Sequence, residues 1–171
     1  KMAALFGRHV NKIDRKGRVS VPKPFRDAMT DQQFTGVHVF PSFKYAAIEA
    51  LTEAFFNRVV GSLDNLDLFS DDQDDLATIV ENTHALPYDT EGRVILPKSL
   101  LEHANLTSEA AFVGCDCFCL LHHAGTVFAS FLELLQGAEQ HVKGPLVHCE
   151  CVGNIRGYND TGSPRLVAEK S

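Results

Sequence analysis

The chain of 171 residues is 44% hydrophobic and 22% charged, and it holds 16 Lys and Arg against 22 Asp and Glu. This composition is typical of one globular domain or two small ones, and it excludes fibrous and wholly disordered classes. The net charge of −6 weighs against a nucleic-acid partner, because phosphate contacts are made mostly by Lys and Arg.

The charge is distributed unevenly along the chain. Residues 1–30 hold eight basic and two acidic side chains, residues 31–90 hold two basic and 11 acidic ones, and residues 91–171 hold six basic and nine acidic ones. We therefore expect a basic face, built from the first 30 residues, on an acidic body.

Two features bear on location. The apolar runs are shorter than the ~20 residues that a membrane-spanning helix needs, and residues 1–7 lack the apolar stretch and cleavage pattern of a signal peptide. We expect an intracellular protein with no membrane partner. The five cysteines are then thiols or metal ligands rather than disulfides.

The first predicted elements are a strand, a turn, a second strand and a helix. Residues 9–13 alternate apolar and polar side chains, as a half-buried strand does. Asp14 and Gly17 are typical of a tight turn, because the carboxylate accepts backbone N–H groups two or three residues on and glycine adopts positive φ. Residues 18–21 return as a strand that Pro22 ends, and a short amphipathic helix follows.

Further strands are predicted at residues 36–40 and about 45–49, and an amphipathic helix at about 51–63. Residues 64–75 carry six aspartates and no basic side chain. We interpret them as a solvated connection into a helix that begins near Asp71, because acidic side chains favour a helix N-terminus. An acidic mimic of nucleic acid is the alternative interpretation. The helix is predicted to bury Leu76, Ile79 and Val80.

A repeat links the two halves of the chain. A shift of 75 residues aligns Asp14–Lys23 with Asp89–Lys98, and six of the ten positions are identical. We interpret the chain as a tandem of two related units. The identical pairs are Asp14/Asp89, Gly17/Gly92, Arg18/Arg93, Val19/Val94, Pro22/Pro97 and Lys23/Lys98.

The second unit is predicted to repeat the elements of the first. Its short helix contains Leu100, Leu101 and Ala104, its further strands lie at about 110–114 and 117–121, and its last helix lies at about 127–135. The predicted divisions are a first unit at 4–63, an acidic connection and helix at 64–80, a second unit at 81–136 and a divergent, disordered tail at 137–171.

The doubled D-x-x-G-R-V-x-x-P motif, the spacing of its copies and the segment Leu68–Leu76 resemble the MraZ family of bacterial transcription regulators, from about Ala4 to about Phe118. The resemblance implies an α+β fold in which two tandem swapped-hairpin units of the AbrB/MazE type form one pseudo-twofold β-barrel with flanking short helices. It also implies a ring-shaped homo-oligomer, cytoplasmic and nucleoid-associated, whose motif loops face double-stranded DNA at repeated boxes in the promoter of the division and cell wall gene cluster.

The pattern departs from the family towards the C-terminus. Relatives have a tryptophan-containing turn and a basic helix there, whereas this chain has no Trp, and all five of its cysteines follow Gly114. Either a divergent tail or a translated frame change explains this composition.

The first motif loop (residues 12–18) is a compact cluster of cations on a predicted β-turn. Two-stranded ribbons fit the major groove of DNA, and an arginine offers a planar fork to a phosphate or to guanine O6 and N7. In the second motif loop (residues 87–93), Thr90 and Glu91 replace Arg15 and Lys16, so the first loop is expected to dominate affinity. The predicted DNA-binding residues are Lys12, Arg15, Lys16, Gly17, Arg18 and Arg93.

Each of these residues also has a structural interpretation. The glycines and aspartates of both motifs are explained by turn geometry. Lys12 and Arg15 fit strand-edge charges that discourage pairing with another strand. Arg18 fits a salt bridge to Asp14.

Three rival functions stay open. A zinc site could use Cys115, Cys117 and Cys119 with His122 and His123, or His148 with Cys149 and Cys151, although the usual C-x₂₋₄-C spacing is absent and small packed thiols are the alternative. An enzyme is disfavoured because no G-x-S-x-G, Walker or H-E-x-x-H motif occurs. An antitoxin-like protein-interaction module would lack salt-dependent DNA binding. We expect no cofactor, metal or small-molecule substrate.

Overall fold

The structure is a computed structural model that describes residues 5–43, 45–64, 71–116 and 118–125, with backbone alone at 72, 115, 116 and 118. It is an α+β fold of antiparallel sheets and short helices, as predicted. The tail predicted at 137–171 and the helix predicted at about 127–135 lie outside the described residues.

The described helices and strands follow the predicted order, and none of these helices is long and apolar enough to cross a membrane. In chain order they are β1 (Leu5–Lys12), β2 (Arg18–Ser20), α1 (Lys23–Ala28), β3 (Gly36–Pro41), β4 (Ala47–Leu51), α2 (Glu53–Leu63), α3 (Asp71–Glu81), β5 (His84–Pro87), β6 (Arg93–Ile95), α4 (Lys98–His103), β7 (Glu109–Asp116) and β8 (Phe118–His122).

The six-stranded sheet has the order β1-β7-β8-β4-β3-β5. Strands β1, β3 and β4 of the first unit correspond to β5, β7 and β8 of the second. Three of the antiparallel pairs, β1 with β7, β4 with β8 and β3 with β5, therefore join the two units. If each strand is exchanged for its counterpart, the result is the same strand order read from the opposite edge of the sheet. The sheet therefore has a pseudo-twofold axis between β4 and β8.

The second sheet is the two-stranded pair of β2 and β6, which is also antiparallel and joins the two units. Val19 lies directly opposite Val94, its counterpart in the repeat. Both valines are buried, with exposures of 0% and 2%, and they belong to the main hydrophobic cluster with Phe25, Phe112 and Leu121. The small sheet is thus fastened to the core by one face.

A second hydrophobic cluster lies under α2 and α3, where Phe40 and Val59 pack with Leu76 and Ile79. The predicted start of α3 near Asp71 and the predicted burial of Leu76 and Ile79 are confirmed. Val80 is only partly buried and packs against this cluster.

Several boundaries differ from the prediction. Strand β1 covers 5–12 rather than 9–13, and β7 covers 109–116 rather than about 110–114. Strand β4 covers 47–51 rather than 45–49, because Tyr45 N–H donates to Ser42 Oγ at 3.2 Å and holds a turn before the strand. Helix α2 begins at Glu53 rather than near 51, because Thr52 caps it by accepting the N–H of Phe55 at 3.3 Å.

Candidate nucleic-acid interface

The first motif loop is a tight turn held by Asp14. Its Oδ1 accepts the backbone N–H groups of Lys16 at 2.8 Å and Arg18 at 2.9 Å. These donors lie two and four residues on, whereas donors two or three residues on were predicted. Gly17 has φ of 77°, in the left-handed region that favours glycine. The turn interpretation of Asp14 and Gly17 is therefore confirmed.

The second motif loop has the same geometry. Asp89 Oδ1 accepts the N–H groups of Glu91 and Arg93, both at 2.9 Å, and Gly92 has φ of 72°. The two loops therefore share one backbone shape and differ in the side chains that they carry.

The arginine of each motif is paired with the aspartate of its own turn. Arg18 Nε lies 2.5 Å from Asp14 Oδ2, and Arg93 Nε lies 2.7 Å from Asp89 Oδ2. The salt bridge expected as the alternative role of Arg18 is therefore present. Each pair uses Nε, whereas a guanidinium also has two terminal nitrogens that can form a fork. The pairs thus hold the arginine stems in place.

The second arginine has an additional acidic partner. Its Nη2 lies 2.5 Å from Glu91 Oε2, on a residue that corresponds to Lys16 in the first loop. Part of the fork of Arg93 is therefore occupied within its own loop. The prediction that the first loop dominates affinity was made from charge alone, and this contact is a second reason for it.

These contacts shift the pKa values of the charged groups. The N–H of Arg18 is the main reason that the pKa of Asp14 falls from 3.8 to about 2, and the Arg18 side chain adds to the effect. The pKa of Asp89 is lowered in the same way by Arg93. The pKa of Arg93 is raised, first by its hydrogen bond to Asp89 and also by the charges of Glu91 and Asp14.

The two loops are joined by the strands that follow them, and we call β2, β6 and the two motif loops together the motif ribbon. Leu96 N–H donates to the carbonyl of Gly17 at 2.9 Å, and Val21 N–H donates to the carbonyl of Gly92 at 3.1 Å. Antiparallel strands alternate hydrogen-bonded and non-hydrogen-bonded pairs, and side chains at the latter lie closer together. Because Gly17 and Leu96 form a hydrogen-bonded pair, the next pair, Arg18 opposite Ile95, is a non-hydrogen-bonded one.

The outer face of the motif ribbon follows from the period of two along a strand. Val19 and Val94 are buried on the inner face. The residues that alternate with them are Arg18 and Ser20 on β2, and Arg93 and Ile95 on β6. Both motif arginines therefore lie on one face of the motif ribbon.

The other predicted cations lie at the rim of this surface. Arg15 and Lys16 are exposed at the turn, and Lys12 is exposed at the end of β1. Lys12 lies opposite Glu109 on β7, and β1 ends the strand order of the six-stranded sheet. The strand-edge interpretation of Lys12 thus stays open beside its predicted role at phosphate.

Sequence reasoning missed Arg26, which belongs to helix α1 of the first unit and lies against the second motif loop. Its Nε donates to the carbonyl of Val21 at 3.1 Å, and a Cβ added to Gly92 would overlap the guanidinium. The corresponding residue of the second unit is Leu101, which touches the space beside Gly17. The Arg-to-Leu difference between the copies was the signal available in the sequence.

The cysteine and histidine residues were the basis of the rival zinc site. Cys119 is buried, and burial raises the pKa of its thiol to about 12. Its interpretation as a small packed side chain is confirmed. Within the part of the chain that the structure describes, no three His, Cys, Asp or Glu side chains form a group that could hold a metal ion. The side chains of Cys115 and Cys117 and the histidines after residue 125 lie outside that part.

No protein-family model matches the chain. Over 117 residues it is 44% identical to the transcriptional regulator MraZ of Gluconacetobacter diazotrophicus, covering 66% of this chain and 74% of that protein. It is 44% identical to MraZ of Parvibaculum lavamentivorans over 115 residues, 66% of this chain and 71% of the relative. For MraZ of Rickettsia canadensis the identity is 36% over 114 residues, 66% of this chain and 76% of the relative. The chain therefore belongs to the MraZ family of transcriptional regulators, which is not a family of enzymes.

Proposed function

We propose that this chain is a transcription regulator that binds double-stranded DNA sequence-specifically through its motif ribbon. The observation that carries the proposal is the antiparallel pairing of β2 with β6, which sets Arg18 and Arg93 on one outer face. A two-stranded ribbon of this kind fits the major groove, where base edges can be read.

The cations of the motif ribbon take different roles in this proposal. Lys12, Arg15 and Lys16 neutralise phosphates around the turn, because they are cationic and exposed. Arg18 reads a base with its terminal nitrogens while Asp14 holds its Nε. Arg93 contributes less, because Glu91 competes for its fork.

The architecture supports a finer proposal about the fold. The first strand of each unit pairs with a strand of the other unit, since β1 pairs with β7 and β5 pairs with β3. We propose that the units at 4–63 and 81–136, joined through 64–80, are swapped hairpins of the AbrB/MazE type that form a pseudo-twofold barrel.

The charge of the motif ribbon supports an oligomer. One chain presents one strongly cationic loop, so useful affinity needs several chains that bind repeated boxes at once. We propose a ring-shaped homo-oligomer, cytoplasmic and nucleoid-associated, that acts on repeated boxes in the promoter of the division and cell wall gene cluster.

Binding of the full chain to labelled duplexes tests the proposal. One duplex carries the promoter of the division and cell wall gene cluster, and the other is a shuffled sequence of equal composition. Fluorescence anisotropy at physiological salt should show affinity for the promoter that is about 10³-fold tighter or more. Equal affinity for the two duplexes would contradict sequence-specific binding, and no binding to either would contradict the function itself.

A further inference from the structure

An exposed isoleucine lies on the outer face of the motif ribbon. Ile95 of β6 is 61% exposed, although Val94 beside it is buried on the inner face. It lies directly across from Arg18 and follows Arg93 by two residues, on the same face of the strand. A large apolar side chain thus has Arg18 as its neighbour across the strands and Arg93 as its neighbour along its own strand.

The folded chain does not use Ile95 in its core. The main hydrophobic cluster takes Val19, Val94 and Leu96 from this region and leaves Ile95 out. The corresponding residue of the first unit is Ser20, so the repeat does not require an apolar side chain here. A contact with another molecule therefore explains Ile95 better than a role in folding does.

The charges around Ile95 favour DNA as the occupant. A protein surface that covered Ile95 would have to desolvate both arginines and their paired aspartates, which is unfavourable unless new partners are supplied. The major groove supplies acceptors for guanidinium groups and one apolar group, the 5-methyl of thymine. An exposed apolar side chain with one arginine across from it and another two residues before it matches that set of groups.

Resting on the proposed function, we propose that Ile95 is a specificity-determining residue that contacts the 5-methyl group of a thymine beside the base read by Arg18. Directly opposed side chains in such a pair have Cβ atoms about 4.5–5.5 Å apart, so Ile95 and Arg18 can reach neighbouring base pairs. Ser20 offers a hydroxyl opposite Arg93 instead. The pseudo-twofold motif ribbon thus reads an asymmetric site, with an apolar preference beside Arg18.

Thymine-to-deoxyuridine scanning tests this contact, because deoxyuridine lacks only the 5-methyl group. The full chain is titrated against the promoter duplex with one thymine replaced at a time. Replacement at one position of each box should weaken wild-type binding about threefold to fivefold, as expected for one buried methyl group. In Ile95→Ser the affinity should fall and become insensitive to that replacement, and Ile95→Val should retain part of the sensitivity.

The control is Val60→Ser, which removes an exposed apolar side chain from α2 and should leave the deoxyuridine pattern unchanged. A wild-type scan without any sensitive position would overturn the inference, and so would equal sensitivity in wild type and Ile95→Ser. A change of subunit number in Ile95→Ser by light scattering, with the pattern intact, would also overturn it by assigning Ile95 to a contact between chains. Wild type that binds no promoter duplex would instead overturn the proposed function.

Discussion

Glu91 holds the guanidinium of Arg93, with 2.5 Å between its Oε2 and Nη2 of the arginine. The corresponding neighbour of Arg18 in the first motif loop is Lys16, which carries the opposite charge. The two turns have the same backbone and the same aspartate–arginine pair. The acidic Glu91 therefore explains why the arginine of the second motif loop is partly occupied, and Thr90 in place of Arg15 lowers the positive charge of that loop further.

The first prediction concerns the two motif arginines. Arg18→Ala should weaken binding to the promoter duplex by about 1–3 kcal/mol and relax the sequence preference. Arg93→Ala should weaken it less, because the fork of Arg93 is shared with Glu91. Fluorescence anisotropy with promoter and shuffled duplexes measures both effects, and thermal unfolding checks that each variant is folded. A larger loss in Arg93→Ala would contradict the ranking.

The second prediction concerns the acidic partner of Arg93. Glu91→Lys recreates the residue found at Lys16 and removes the competing carboxylate. It should tighten DNA binding and make the negative slope of log affinity against log salt steeper by about one unit, the effect of one added phosphate contact. Glu91→Gln is the matched control, since it frees Arg93 without adding a cation and should leave the slope nearly unchanged. An unaltered affinity in both variants would indicate that the second loop does not approach DNA.

The third prediction concerns stability in acid. The pKa of Asp14 is about 2 in the folded chain, below its ordinary 3.8. Such a carboxylate stabilises the fold above the unfolded pKa, and the stabilisation is lost as pH falls through the folded pKa. The free energy of unfolding of wild type, measured with urea, should therefore fall between about pH 4 and pH 2. Asp14→Asn should remove part of that pH dependence.

Asp31→Asn is the control for Asp14, because Asp31 is an exposed aspartate outside the motif turns. It should leave the acid dependence close to that of wild type. The same loss of pH dependence in Asp31→Asn would show that the pH dependence of stability does not arise from the turn carboxylates. The lowered pKa of Asp89 predicts a change of the same sign for Asp89→Asn.

The fourth prediction concerns the turn glycines. Gly17→Ala should destabilise the fold by about 1–2 kcal/mol, because φ is 77° there and left-handed backbone is unfavourable for other residues. Gly92→Ala has the same backbone problem and also displaces Arg26. Its loss should be larger, and the double variant Gly92→Ala/Arg26→Ala should lose less than the sum of the two single variants.

Gly61→Ala is the matched control for the glycines. Gly61 lies in α2, and an added Cβ has nothing within 4 Å. Alanine favours helix over glycine by about 1 kcal/mol, so this variant should be more stable than wild type. Urea unfolding of the set measures these differences. Additive losses for Gly92→Ala and Arg26→Ala would contradict the contact between the two residues.

Most elements of the fold could be predicted from local patterns. The alternation of buried and exposed residues around Val19 and the tight turn formed by Asp14 and Gly17 depend only on a few neighbouring residues. Both predictions are confirmed. The start of α2 was placed too early because the capping by Thr52 depends on one hydrogen bond that hydrophobic periodicity does not encode.

The pairing between the two units is different. Local periodicity carries no information on which strand lies beside which, so the register that sets Arg18 opposite Ile95 could not be derived from it. Arg26 was missed for the same reason, since it is far from Gly92 in the chain and adjacent to it in the fold. The loss of positive charge at Glu91 is visible in the sequence. Its contact with Arg93 depends on the side-chain conformations in the folded turn, which the sequence pattern does not specify.

The salt dependence of promoter binding tests the central claim most directly. Log affinity should fall linearly with log salt for wild type. When Lys12, Arg15 and Lys16 are all changed to Gln, this negative slope should become shallower by about three units, because each phosphate contact contributes about 0.9. Thermal unfolding should be little changed, since all three side chains are exposed. Equal slopes for wild type and the triple variant would contradict the account that the motif ribbon is the surface that binds DNA.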